Sequence, residues 1–182
     1  MLKPRRLPEK LFPDDGRPGF DKKFIRTKIC IHNSGVSYGD SFHLKEIWQE
    51  KGFNSHPYHF IILNGRRTFG NNYTPKDDGL IETGRGLKEN SVFPYLDTTD
   101  VIDVLMIGIT KFSLNQLRSV VALCDGLVTS LGIGKDCVVS TRTLRYAESN
   151  RFNIDPESPG FDVSIIQDIL HTFKDYEYMY GD

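Results

Sequence analysis

Two side chains near the ends of strand-like runs are of types that can do chemistry. His32 closes the strand-like run Ile25–His32, and Tyr58 opens another, Tyr58–Leu63. An imidazole at a strand end can be a metal donor or a base, with a histidine bonded to neighbouring backbone as the plain alternative; a tyrosine can orient a substrate carbonyl, with a half-buried strand tyrosine as its plain alternative. A metal that activates water needs two or three imidazole, thiolate or carboxylate donors brought together. The other four histidines, His43, His56, His59 and His171, show no spacing of a metal triad, and exposed or capping roles are expected for His43, His56 and His171. Cys30, Cys124 and Cys137 form no CxxC pair; an odd count in apolar surroundings reads as reduced, buried thiols in an intracellular setting. Arg66-Arg67 is a candidate site for phosphate or an acidic surface, with a solvated loop as the plain alternative.

The elements that would position these groups follow from hydrophobic periodicity. Residues 1–24, with Pro4, Pro8, Pro13 and Pro18 among charged residues, read as an arm. A helix is predicted over about 41–51, with Leu44, Ile47 and Trp48 on one face and Gly52 at its end. Tyr58–Leu63 and Leu80–Thr83 are predicted to pair as a hairpin across a long polar connection, 65–78, a length often associated with function. Val101–Ile109, interrupted by Asp103, is the most apolar strand and is expected at the centre. Ser113 and Gln116 form a capping box ahead of Leu117, Val120, Val121, Cys124, Leu127, Val128 and Leu131, and Gly132 and Gly134 end that helix. Cys137–Ser140 reads as a short strand. Asp162 caps a last helix with Ile165, Ile166, Ile169, Leu170 and Phe173 inward, ahead of an acidic, aromatic tail over 175–182. Interleaved strands and helices predict one α/β domain over 25–174, a central mixed β-sheet flanked by helices.

The order of these pieces resembles the type-2 N-acetylmuramoyl-L-alanine amidases, a family that includes amidase-type phage lysozymes and the peptidoglycan recognition proteins. The resemblance is carried by Ile29-Cys-Ile-His32-Asn-Ser, by Ile47-Trp-Gln-Glu-Lys-Gly-Phe53 with Pro57-Tyr-His-Phe-Ile-Ile62, and by Asp78-Gly-Leu-Ile-Glu-Thr-Gly-Arg-Gly86. Phe112-Ser-Leu-Asn-Gln116 and Ser158-Pro-Gly-Phe-Asp-Val163 complete it, over residues 25 to 170. It implies a catalytic zinc held by three protein ligands. The first is matched by His32, but the other two positions are Thr141 and Ser158, and neutral hydroxyls are poor zinc ligands beside imidazole or thiolate. The assisting lysine falls on Pro156, a groove histidine on Phe93 and a central-strand glutamate near Leu105; Tyr58 alone keeps an assisting side chain. Asp155 and Glu157 neighbour the lost third ligand, and a register slip at Glu157 is the route to a remodelled site.

The expectation is therefore a non-hydrolytic, phage-derived protein of amidase type, acting by binding peptidoglycan or a protein partner. His32 and Tyr58 are then vestigial, no cofactor is expected, and zinc enters only if the site is remodelled. Candidate contact residues are Phe93 and Tyr95 on the groove rim, and Phe69, Tyr73, Arg66 and Arg67 in the long loop. The alternatives are an active zinc amidase, with His32 on the metal and Tyr58 as transition-state donor, and a structural virion component. Twenty-three Lys and Arg against 24 Asp and Glu give a net charge of −1, which argues against a nucleic-acid partner. No apolar run reaches the ~20 residues of a membrane span, and no secretory signal is visible, so the host cytoplasm or the virion is expected.

Overall fold

The computed structural model describes residues 26–93, 100–141, 143–144 and 160–180, with side chains as far as Thr172. The arm, Tyr95, Pro156, Ser158 and the side chain of Phe173 lie outside the described residues. The elements are β1 (Lys28–Asn33), α1 (Ser41–Glu50), β2 (Phe60–Asn64), β3 (Asp78–Thr83), β4 (Val101–Met106), α2 (Leu114–Leu131), β5 (Val138–Ser140) and α3 (Ser164–Tyr180). They build one mixed five-stranded sheet in the order β3-β2-β4-β1-β5. β2 and β3 are antiparallel; the β2–β4, β4–β1 and β1–β5 pairs are parallel.

Alternation along each strand divides the core into two layers. Ile29, Ile31, Phe60, Ile62, Ile102, Val104 and Met106 face α2 and α3, whose Val120, Leu123, Cys124, Leu127, Ile166 and Leu170 complete that layer. Cys30, Ile61, Leu63, Val101, Leu105 and Val139 face the other side, under Leu44 and Trp48 of α1. Every residue of β4 is buried, as the apolar run predicts. The strand nevertheless stops at Met106 rather than Ile109: Ile107 still donates to the Ile62 carbonyl of β2, but Gly108, at φ +159, leaves the ladder and gives its N–H to Ser34 Oγ.

α2 begins where the capping box places it. Ser113 Oγ accepts from Gln116 N–H at 3.0 Å, Gln116 Oε1 accepts from Ser113 N–H at 3.1 Å, and Gly132 ends the helix in the left-handed region. Ser113 Oγ also donates to the buried Asp78 carboxylate at 2.6 Å, tying α2 to β3. Ser113→Ala is expected to cost about 1–2 kcal/mol, read as a shift of the urea midpoint at unchanged m-value. On α3 the expected face needs one correction. Ile166 and Leu170 are buried, but Ile165 is 52% exposed, because the helix meets the sheet along the Val163–Ile166–Leu170 stripe. α3 also continues through Tyr180, into the segment read from sequence as a tail. Cys137 belongs to a single 3₁₀ turn (Lys135–Cys137) and is only half-buried, whereas Cys30 and Cys124 are buried thiols.

Candidate functional site

The site sits at the heart of the sheet, on the α1 side. Cys30 and His32 are two apart on β1 and therefore share a face; Asp103 on β4 lies in register opposite Cys30. All three are 0% exposed. Their thiol, imidazole nitrogen and carboxylate oxygen lie within 4.8 Å of one another. The His32 Nε2–Asp103 Oδ1 distance is 2.9 Å. Burial alone would lower the pKa of His32; Cys30 and the Asp103 carboxylate outweigh it and push it up to about 10.

His59 supports Asp103 from beneath. The Asp103 amide donates to His59 Nδ1 at 3.0 Å, and His59 Nε2 lies 2.9 Å from the Glu89 carbonyl. An amide only donates and a carbonyl only accepts, so His59 is the neutral tautomer with its proton on Nε2. Burial accordingly lowers its pKa.

The roof is aromatic. Phe93 stacks on His32 with ring centroids 5.0 Å apart and planes 27° apart; Tyr58 meets His32 edge-on at 5.2 Å. Phe93 is brought there by the segment after β3. Gly84 opens it, and a Cβ there would lie 2.4 Å from the Tyr58 carbonyl. Arg85 donates to the His56 carbonyl and to Ser55 Oγ, Arg26 to the Leu87 and Glu89 carbonyls, and His59 to that of Glu89. These bonds hold residues 84–90 against the end of the sheet and turn the chain inward at Phe93.

Several sequence expectations change here. Phe93, expected on the rim, is 3% exposed and is a roof rather than a contact surface. Tyr58 is 4% exposed, enclosed by His32, Trp48 and Phe93. His56, expected in solvent or capping, is buried, and its Nδ1 accepts the Tyr58 N–H at 3.1 Å. Arg67 is committed within the chain, with Asp77, Asp40 and Glu82 at 3.1, 3.2 and 2.7 Å, and so pins the 65–78 loop to the start of α1 and to β3. Arg66 is exposed, Phe69 is 82% exposed, and Tyr73 is 44% exposed with its hydroxyl on Asp78. Asp103 and Cys30 were not read from sequence as site residues. The signal for Asp103 was its place as the lone carboxylate in an apolar strand, since a buried charge demands a partner.

The zinc that the resemblance brings does not fit its implied ligand set. The Ile31–Ser140 pairing puts Thr141 one step further along, next to the level of His32, so the place is kept while the donor is a buried hydroxyl. His32 Nε2 is meanwhile engaged by Asp103, beneath an aromatic roof.

The fold is shared with solved N-acetylmuramoyl-L-alanine amidases and peptidoglycan recognition proteins. The chain is similar to the N-acetylmuramoyl-L-alanine amidase LysC from Clostridium intestinale URNW, at 18% identity and a TM-score of 0.63, over 82% of this chain and 87% of that one. It is also similar to Drosophila peptidoglycan recognition protein SD, at 15% identity and a TM-score of 0.54, over 78% of this chain and 79% of that one. A third similarity is to the ectodomain complex of peptidoglycan recognition proteins LCa and LCx with tracheal cytotoxin bound, at 16% identity and a TM-score of 0.54, over 79% and 82%. No protein-family model and no curated protein matches the sequence. No helix among the described residues is long and apolar enough to cross a membrane.

Proposed function

We propose that this chain binds peptidoglycan fragments without cleaving them. One observation carries the reading: His32, the one metal donor that matches the amidase pattern, is fully buried on Asp103 and roofed by Phe93 and Tyr58. A hydrolytic zinc needs an open position for water and for the scissile carbonyl, and Thr141 adds no competent donor. What supports peptidoglycan as the ligand is the fold, shared with recognition proteins that include one complex holding tracheal cytotoxin. A protein partner is the second reading, favoured by the aromatic surface at the start of α1. There Phe42 and Phe69 are 70% and 82% exposed, and Phe69 packs edge-on to Tyr38 at 5.6 Å.

The test uses the full chain and purified sacculi in zinc-supplemented buffer. Co-sedimentation with sacculi, with no release of soluble muropeptides, is the expected result. EDTA-sensitive release of muropeptides would overturn the non-hydrolytic reading. Failure to co-sediment would overturn the peptidoglycan reading and leave the protein partner.

A further inference from the structure

We infer that Cys30, His32 and Asp103 form a buried, three-donor metal site of their own, with zinc(II)-like preference. The set differs from the one the amidase resemblance implies in two of its three donors, and it does not depend on the function proposed above.

The donor chemistry is that of zinc or cobalt(II): one thiol, one imidazole and one carboxylate. Donors about 2.0–2.3 Å from a tetrahedral ion lie roughly 3.3–3.8 Å from one another. The three donor atoms here are within 4.8 Å of one another, and the His32–Asp103 pair is at 2.9 Å. Seating an ion thus requires the imidazole and carboxylate to part by a few tenths of an ångström and the thiol to close in. Backbone pairing holds the three in place, because Cys30 and His32 share a strand whose register with Asp103 is set by the β1–β4 ladder.

The surroundings shut the site off from solvent and from a bulky substrate. The donors are 0% exposed, and the neighbouring Tyr58, Phe93, Leu105 and Val139 are all buried. His59, accepting the Asp103 amide and donating to the Glu89 carbonyl, fixes the backbone of the strand that carries the carboxylate. A carboxylate this deep needs a positive partner. A proton shared with His32 provides one in the metal-free protein, and a divalent ion replaces it while displacing protons from the thiol and the imidazole.

The test is cobalt(II) titration of the EDTA-treated, dialysed full chain. The expected result is one equivalent bound, with a thiolate-to-cobalt charge-transfer band in the near ultraviolet that disappears in Cys30→Ser while the circular dichroism is retained. Should Cys30→Ser fail to fold, the Cys124→Ser/Cys137→Ser protein, which keeps Cys30 as its sole thiol, must retain the band. Absence of a band in the parent, an undiminished band in folded Cys30→Ser, or its loss in the Cys124→Ser/Cys137→Ser protein would overturn the assignment. Muropeptide release is not part of this readout, so the two proposals fail separately.

Discussion

Asp103→Ala is expected to lower the free energy of unfolding by about 3–5 kcal/mol, a large part of the ~5–15 kcal/mol that holds an ordinary domain together. Asp103 and His32 are both 0% exposed, and their 2.9 Å contact lies in the central layer between β4 and β1. Taking away the carboxylate strips an inward-facing imidazole of its nearest counter-charge and opens space beside it, both costly in a low-dielectric interior. Asp103→Asn keeps an oxygen to accept the His32 N–H but removes the charge, so it should cost roughly half as much. The pair is separated from its surroundings by a double-mutant cycle. Because His32→Ala/Asp103→Ala leaves neither partner stranded, its cost should fall short of the sum of the two single variants by more than about 1 kcal/mol. Urea denaturation in EDTA measures all four proteins free of metal. Additive costs would show that His32 and Asp103 do not stabilise one another.

The second large effect is a loss of stability in mild acid. Burial, reinforced by the positive charges of Arg85 and Lys45, lowers the pKa of His56 from 6.5 to about 4. The unfolded chain therefore binds a proton between pH 6.5 and 4 that the folded chain refuses. Stability rises with pH wherever the unfolded state holds more protons, so it must fall as pH drops through this window, by about 3 kcal/mol for His56 alone. His59, also lowered by burial, adds to the loss with the same sign. Urea midpoints at pH 7, 5.5 and 4.5 trace the slope. His56→Asn keeps an acceptor for the Tyr58 N–H and does not titrate. It should be weaker than the parent at pH 7 yet show a clearly shallower decline toward pH 4.5. Parallel declines in the two proteins would assign the acid sensitivity to other groups.

The structural reason these two predictions concern Asp103 and His56, neither of which stood out as a site residue in the sequence, is that partners decide what a polar residue does. In sequence, Asp103 is a flaw in an apolar run and His56 a polar residue in a loop. His56 becomes a core residue only because Arg85 and Gly84 close the segment after β3 over it, with a glycine at the point where any Cβ would strike the Tyr58 carbonyl. Arg67 shows the same effect in reverse. Its sequence context suggests an anion site, yet three carboxylates from α1's N-cap, the loop and β3 surround it.

The sequence by itself determined the elements and the fold. Periodicity is a local property, and the apolar runs of β1 and β2, the run of β4 broken only by Asp103 and the capping box of α2 each specify an element within a dozen residues. The order of motifs then specified how those elements assemble. What only the tertiary structure decided is which groups meet. Cys30 and Asp103 are some seventy residues apart, and they face one another because β1 and β4 pair in a single register that neither strand encodes alone. Phe93 lies over His32 rather than on the rim because hydrogen bonds from Arg26, His59 and Arg85 turn its segment inward. A side chain's type limits the chemistry it can do; its burial and its partners, which are long-range properties of the packed chain, select among those possibilities.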